Sequence, residues 1–144
     1  MNLSNHVKKI FVNLPVKDLE KSIGFFTELG FSFNPQFTDE KATCMIIEDG
    51  HIFAMLITEN FFKTFTKKPI SDAKKNTEVL LALQLESKEE VDKLVKNAVN
   101  AGGDIYMEPV DHGWMYQHSF ADLDGHQWEL FCMDEKSAPS QPDG

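Results

Sequence analysis

The sequence predicts an α+β protein in which two βαβββ modules form a curved mixed sheet around a central cleft, with the helices outside. Two observations lead to this prediction. A strand-like run, an amphipathic helix and three further strand-like runs occur in the same order twice within 144 residues. Each helix also carries its own start and stop signals. We expect the modules at residues 1–58 and 78–133, a linker at 59–77 and a disordered tail at 134–144.

The first module opens with VKKIFVNL, whose alternating apolar residues predict a strand that Pro15 helps to end. Asp18 is the predicted N-cap of the helix LEKSIGFFTELG, and Gly30 is its predicted stop. Three strand-like runs follow: FSFNPQFT, ATCMIIED and HIFAMLIT. The pair Asp49-Gly50 lies between the last two runs and is a strong hairpin signal.

The second module repeats this pattern. The run EVLLALQLE predicts a strand, and Ser87 with Glu90 predicts a capping box at the start of the next helix. Gly102-Gly103 is expected to end that helix. The runs DIYMEPV, WMYQHSFA and QWELFCM then predict three more strands. The order of elements in the two halves is therefore the same, which indicates an internal duplication.

The composition excludes several classes of function. A net charge of −9 and a pI of about 4.9 argue against binding to nucleic acid or to anionic membranes. The sequence has no pattern of a signal peptide or a membrane span, and Cys44 and Cys132 are expected to be reduced, so we expect a cytoplasmic protein. The lysine-rich linker is either a solvated spacer or a basic lid that attracts an anionic ligand.

Two stretches, LPVKDLEKSIGFFTELGF and FADLDGHQWELF, resemble the opening and closing motifs of the vicinal oxygen chelate superfamily. This superfamily includes glyoxalase I, extradiol dioxygenases, and the bleomycin and fosfomycin resistance proteins. The closing motif resembles D-P-D-G-x-x-x-E, with Leu123 where proline is common. The resemblance covers about residues 7–133 and is most specific to the glyoxalase-related proteins. It implies a small-molecule cleft and places Glu129 where the superfamily commonly has a metal ligand.

The register of the last hairpin decides which way Glu129 points. If Leu123-Asp124-Gly125 form a three-residue loop, Ser119 lies opposite Glu129. One face of the hairpin then carries polar residues suited to a cleft, and the other carries bulky residues suited to packing against a helix. The polar face has Gln117, Ser119, Glu129 and Phe131, and the bulky face has Phe120, Trp128, Leu130 and Cys132. A shift of one residue in the loop would exchange the two faces.

The resemblance does not extend to a complete metal site. The other ligand positions of the superfamily fall near Phe11, Met55 and Leu80, whose side chains do not bind zinc, nickel or iron well. Only Glu129 matches, so we expect no metal and no other cofactor, although a divalent metal at Glu129 is not excluded. His118 becomes an acid–base candidate only if the register is shifted. Asp122 and Asp124 are expected to cap the turn.

A mostly apolar cleft with a few polar groups therefore follows from the sequence. Core packing is the alternative for its apolar members. The expected lining is Phe11, Asn13, Met55, Leu80, Ala82, Trp114, Tyr116, Gln117, Ser119, Glu129 and Phe131.

Two functional classes fit such a cleft. One is metal-independent binding of a small molecule, and the other is a glyoxalase-related lyase or isomerase that uses Glu129 as a general base or metal ligand. A domain that mainly serves as a dimer scaffold is a third reading. We expect a homodimer, because the duplicated frame leaves strand edges that need covering.

Overall fold

The structure is a computed structural model that describes residues 2–137. The chain divides into two compact units, Met1–Ser71 and Asp72–Gly144, and each contains a four-stranded mixed sheet. The predicted α+β class with two βαβββ modules is confirmed. Residues 138–144 of the predicted tail lie outside the described residues. Within residues 2–137, no helix is long and apolar enough to cross a membrane.

The first unit contains one βαβββ module followed by a short helix. Its strand order is β1-β4-β3-β2, with β1 parallel to β4 and the other pairs antiparallel. The predicted hairpin at Asp49-Gly50 is confirmed, since β3 and β4 pair on either side of this turn. The elements are β1 (Ile10–Val16), α1 (Leu19–Glu28), β2 (Ser32–Asn34), β3 (Ala42–Glu48), β4 (Ile52–Thr58) and α2 (Glu59–Phe62).

The second unit repeats this topology with the strand order β5-β8-β7-β6. The first strand again pairs in parallel with the last, and the remaining pairs are antiparallel. The repeated order of elements predicted from the sequence is therefore confirmed. The elements are β5 (Leu80–Gln84), α3 (Lys88–Asn100), β6 (Val110–Asp111), β7 (Met115–Ala121) and β8 (Gln127–Met133).

Both predicted helix caps are present. The Asp18 carboxylate accepts a hydrogen bond from the Lys21 N–H at 3.1 Å, and the Ser87 hydroxyl accepts one from the Glu90 N–H at 3.2 Å. The Glu90 carboxylate accepts from the N–H of Glu86, one residue before the cap, at 3.0 Å. Each cap satisfies a backbone donor that the first turn leaves unpaired, so both helices begin where the sequence predicts.

Each unit has its own hydrophobic core between one face of its sheet and one helix. In the first unit, α1 packs against β3 and β4, and the buried residues include Leu14, Val16, Phe25, Phe26, Met45 and Leu56. In the second unit, α3 packs against β7 and β8, and the buried residues include Val91, Val95, Ala98, Phe120, Trp128 and Leu130. These two sets contain most of the large apolar side chains that are removed from water.

Two predicted strands are shorter than expected, each at a proline. The run FSFNPQFT forms a strand only over Ser32–Asn34, and a 3₁₀ turn follows at Pro35–Phe37. The Asn34 side chain caps this turn by accepting from the Gln36 N–H at 3.0 Å. In the run DIYMEPV, Asp104 forms an isolated bridge with Ala121, and Val110 begins the two-residue strand Val110–Asp111. Pro109 has no N–H with which to extend the ladder between them.

Pro15, in contrast to these two prolines, does not shorten its strand. It lies inside β1, opposite Ile57, and the strand continues to Val16. Since β1 is an edge strand, one side of its backbone faces no neighbouring strand of the sheet. A residue without an N–H is tolerated on that side, so the expectation that Pro15 helps to end the strand was wrong.

The turn between β7 and β8 is organised by one buried carboxylate, that of Asp122. One of its oxygens accepts from the N–H groups of Asp124 and His126 at 3.0 Å each, and the other accepts from the Trp128 indole at 3.1 Å. Burial raises the pKa of Asp122, whereas the charge of His126 and these hydrogen bonds act in the opposite direction. The prediction that Asp122 caps the turn is confirmed, and its bond to Trp128 also joins the turn to the core.

We expect Asp122→Ala to lower the free energy of unfolding by about 2–4 kcal/mol, because it removes three hydrogen bonds and leaves the buried Trp128 N–H unsatisfied. Asp49→Ala, in the exposed turn of the first unit, is the matched control and should change the free energy of unfolding by less than about 0.5 kcal/mol. Urea melts followed by circular dichroism measure both values. Equal stability of the two variants would show that Asp122 does not hold the turn.

A second prediction concerns Gly125 in the same turn. Gly125 and Gly113 both have positive φ angles, +94° and +84°, but a Cβ at Gly125 would lie 2.8 Å from the Lys74 backbone nitrogen, whereas Gly113 has open space. Gly113→Ala should therefore cost only the conformational penalty of about 1–2 kcal/mol. Gly125→Ala should cost about 1–3 kcal/mol more, because backbone atoms must move. Urea melts of both variants test the difference, and equal losses would contradict it.

Candidate functional site

The second unit contains a pocket of about 470 Å³, a volume typical of small-molecule sites. Residues of this unit alone line it. The strands contribute Leu80, Val110, Gln117, Ser119, Gln127 and Glu129.

Strand pairing explains why these residues meet. Ser119 lies opposite Glu129 across β7 and β8, and Leu80 of β5 lies opposite Gln127 of β8. Side chains alternate between the faces of a strand, so Gln117, Ser119 and Glu129 share the face that does not pack on α3. The register predicted for the last hairpin is therefore confirmed.

Glu129 has a specific partner on this face. The Gln117 amide donates to the Glu129 carboxylate, with 2.9 Å between Nε2 and Oε2. The amide thereby orients the carboxylate through one of its two oxygens. Near it, the Thr77 hydroxyl donates to the Gln127 side-chain oxygen at 2.6 Å and ties the segment before β5 to β8.

One wall of the pocket comes from the segment between α3 and β6, through Tyr106, Met107 and Glu108. The Tyr106 hydroxyl is buried and has no hydrogen-bond partner of standard geometry within residues 2–137. Burial raises the pKa of Tyr106; the nearby Ser119 hydroxyl lowers it, and the charge of Glu129 raises it further. Tyr106, Ser119 and Glu129 therefore line the same pocket and lie close enough for the two sheet residues to affect the phenol.

These three wall residues were not predicted to line the site, because the alternation in DIYMEPV predicts a regular strand there. Pro109 was the signal that could have revealed an irregular segment. A segment that leaves the ladder next to a sheet face can fold over that face, and this one contributes a pocket wall.

Tyr116 and Trp114 do not line this pocket. Tyr116 lies on the α3 side of β7: its hydroxyl donates to Asp92 of α3 at 2.5 Å, and the Lys88 ammonium lies 4.7 Å from its ring centre. Tyr116 therefore lies on the opposite face of β7 from Gln117 and Glu129, and not on the face of this pocket. Trp114 precedes β7, and its backbone carbonyl accepts from the Asp134 N–H at 2.7 Å.

The remaining expected site residues fall into two groups. Ala82 and Phe131 share the sheet face of Glu129 but lie outside the pocket lining. Phe11, Asn13 and Met55 belong to the first unit, where Asn13 lies opposite Met55 and the Phe11 ring stacks on Phe53 with 4.9 Å between centroids.

His118 lies opposite Leu130 on β7, and strand alternation directs its side chain away from Glu129. Part of the residue also borders the pocket, and its buried Nδ1 has no hydrogen-bond partner in the part of the chain that the structure describes. Its position agrees with the predicted register, which does not pair His118 with Glu129 as an acid–base couple.

The charged lining of the pocket is acidic. It contains the carboxylates of Glu108 and Glu129, and the residues described around it include no lysine or arginine. With a net charge of −9 on the chain, the site favours a cation or a neutral donor over an anion.

The residues around Glu129 do not fit a divalent metal. Within residues 2–137, no three His, Cys, Asp or Glu side chains come together in a way that could hold one. On the strands, the polar neighbours of Glu129 are the Gln117 amide and the Ser119 hydroxyl, and the pocket wall adds the Tyr106 phenol. Zinc, nickel and iron sites need several imidazole, thiolate or carboxylate ligands, and this donor set supplies one.

We expect protein purified without chelator to contain well under one equivalent of zinc, nickel, iron or manganese per chain. Elemental analysis by mass spectrometry measures this directly. Glu129→Gln should leave the small metal content unchanged, because one carboxylate binds such ions weakly. One equivalent of metal that is lost in this variant would contradict the prediction.

Two βαβββ units of the same topology agree with the fold of the vicinal oxygen chelate proteins. The family model of the Glyoxalase/Bleomycin resistance protein/Dioxygenase superfamily matches residues 5–130, and this chain belongs to that superfamily. A comparison with curated proteins finds no match.

Solved structures agree with this assignment. Hypothetical protein SA1046 from S. aureus is 32% identical, with a TM-score of 0.74, and the match covers 91% of this chain and 99% of that chain. A glyoxalase/bleomycin resistance protein/dioxygenase family enzyme from Burkholderia phytofirmans is 19% identical over 85% of this chain and 96% of its own, with a TM-score of 0.72.

The genomically encoded fosfomycin resistance protein FosX from Listeria monocytogenes is 20% identical, with a TM-score of 0.62 and coverage of 88% of this chain and 93% of that chain. At such identities the likeness to FosX and to the Burkholderia protein shows the fold alone.

Proposed function

We propose that this protein binds a small organic molecule, without a metal, in the pocket of its second unit. One contact carries the proposal: Glu129 is held by the Gln117 amide at 2.9 Å on a pocket face that the hydrophobic core does not need. A carboxylate in such a place does little for packing, but it is well suited to anchor a ligand.

The pocket lining indicates the chemistry of the ligand. Leu80 and Met107 are 51% and 61% exposed, which folding alone does not favour for side chains of this size. They offer apolar contact area, whereas Glu108 and Glu129 offer negative charge. The ligand is therefore a compound with an apolar body and a protonated amine or another strong donor directed at Glu129.

A glyoxalase-related lyase or isomerase is the second candidate. The Tyr106 hydroxyl lies close to Ser119 and Glu129, so that a base and two hydroxyl donors share one site. Glu129 would remove a proton from an acidic carbon, and the hydroxyls would stabilise the enolate oxygen. Without a metal this stabilisation is modest, which favours the binding function.

Ligand binding tests the proposal through Glu129→Gln. We expect the variant to bind hits from a thermal-shift screen of amines, metabolites and antibiotics at least about tenfold more weakly, or about 1.4 kcal/mol, because the charge is lost. Its free energy of unfolding should be unchanged or higher by up to about 1 kcal/mol, since glutamine still offers an acceptor to Gln117. Calorimetry and urea melts measure the two quantities.

Glu40→Gln, at an exposed position of the first unit, is the matched control and should change neither quantity. If Glu129→Gln unfolds at much lower urea concentration than Glu40→Gln, Glu129 belongs to the fold and the proposal fails. If both variants bind every hit as well as the unmodified protein does, the ligand lies elsewhere.

Proton exchange separates binding from catalysis. The hits are incubated with the protein in deuterium oxide and followed by nuclear magnetic resonance. A general base at Glu129 would exchange an acidic C–H for deuterium, and Glu129→Gln would stop the exchange. A binding protein leaves every C–H unexchanged.

A further inference from the structure

We propose that Tyr106 determines specificity in this pocket. Its hydroxyl donates a hydrogen bond to an oxygen of the ligand, and this oxygen is next to the group that Glu129 binds. The inference rests on the proposed function and specifies the ligand further. The compound carries a hydroxyl or carbonyl oxygen next to its amine, as a vicinal amino alcohol does.

The position of Tyr106 is the first support. The residue is part of a pocket wall, and its hydroxyl is buried without a hydrogen-bond partner of standard geometry among the described residues. Buried hydroxyls in folded proteins are normally paired, so an unpaired one on a residue that lines a pocket needs an explanation. A ligand oxygen that meets the hydroxyl after a small shift of the ring would complete its hydrogen bonding.

The backbone around Tyr106 is the second support. The segment is anchored at one end by two hydrogen bonds between Asp104 and Ala121, at 3.0 and 2.7 Å. It is anchored at the other end by the pairing of Val110 with Gln117. Residues 105–109 pair with no strand in the described structure, so the ring can shift slightly to meet a ligand while both ends stay fixed.

The neighbours of the hydroxyl are the third support. Tyr106, Ser119 and Glu129 line the same pocket, and the charge of Glu129 raises the pKa of the Tyr106 phenol, so the phenol lies near the carboxylate. The carboxylate can bind a cationic group of the ligand, and the neutral phenol can donate a hydrogen bond to an oxygen of the same ligand. A ligand with adjacent amine and oxygen groups satisfies both at once, whereas a simple amine satisfies only Glu129.

Two probes separate these contacts. Phenethylamine offers an aromatic body and an amine, and phenylethanolamine adds a hydroxyl on the neighbouring carbon. By calorimetry at neutral pH, the unmodified protein should bind phenylethanolamine about fivefold more tightly, on the scale of one net hydrogen bond. Tyr106→Phe should abolish this preference and leave the binding of phenethylamine unchanged. Glu129→Gln should weaken the binding of both probes.

Tyr116→Phe is the matched control, because the chain contains only two tyrosines and Tyr116 bonds to Asp92 on the α3 side. This variant should keep the preference for phenylethanolamine. With isotope-labelled tyrosine, it also leaves Tyr106 as the single ζ-carbon signal in the spectrum. Phenylethanolamine should shift this signal more than phenethylamine does, because the phenol gains an acceptor, and a merely structural tyrosine would respond equally to both.

The outcomes distinguish the two proposals. If both probes bind equally well and Tyr106→Phe changes nothing, the role of Tyr106 is overturned while the binding function stands. If neither probe binds to the unmodified protein, the amine-binding pocket and the role of Tyr106 both fail. A preference for phenylethanolamine that survives Tyr106→Phe also overturns the role assigned to Tyr106.

Discussion

The buried carboxylate of Asp122 is the constraint on which the candidate site depends. Its hydrogen bonds from the N–H groups of Asp124 and His126 fix the length of the β7–β8 turn. Its hydrogen bond from the Trp128 indole holds that side chain on the core face of β8. Because strand faces alternate, a turn one residue longer or shorter would move Trp128 to the open face and Glu129 into the core. The same bonds that stabilise the fold therefore determine that Glu129 lines the pocket.

The division between the two faces of this sheet explains why a polar site is tolerated. Phe120, Trp128 and Leu130 are almost fully buried on the α3 side, so the unit has a core without help from the other face. The open face can then carry Gln117 and Glu129, which bond to each other. In the first unit, the corresponding face carries the stacked rings of Phe11 and Phe53. The two units thus share one topology, while the polar groups of the candidate site occur in the second.

Much of the fold could be predicted from local signals. The caps at Asp18 and Ser87 and the turn at Asp49-Gly50 act over a few residues, so the sequence alone reveals them. The register around Glu129 was also predictable, because one turn and strict alternation determine it. Alternation should equally have placed Tyr116 on the α3 side. Tyr116 and Gln117 are neighbours in β7, so alternation puts them on opposite faces, and only Gln117 belongs to the face of Glu129.

The wall of the pocket was not predictable in the same way. Residues 105–109 leave the ladder because Pro109 interrupts pairing, but where they then lie depends on Asp104 and Ala121, which are distant in sequence. The alternation in this run resembles that of a regular strand, and nothing local indicates that Tyr106 approaches Ser119. Tertiary contacts of this kind are the part of a site that single-sequence reasoning misses.

A pocket that binds its ligand through side chains alone discriminates between ligands differently from a metal site. A metal attracts any good oxygen donor, so much of the selectivity must come from shape. Here the polar groups are one carboxylate oriented by an amide and a phenol held by a partly unpaired segment. These groups have directional hydrogen bonds and opposite roles, one accepting and one donating. A site built in this way rejects a ligand that lacks either partner, because a buried polar group is then left unsatisfied. In the proposed site, specificity would therefore come from the directional hydrogen bonds of Glu129 and Tyr106, without the Lewis acidity that a metal provides.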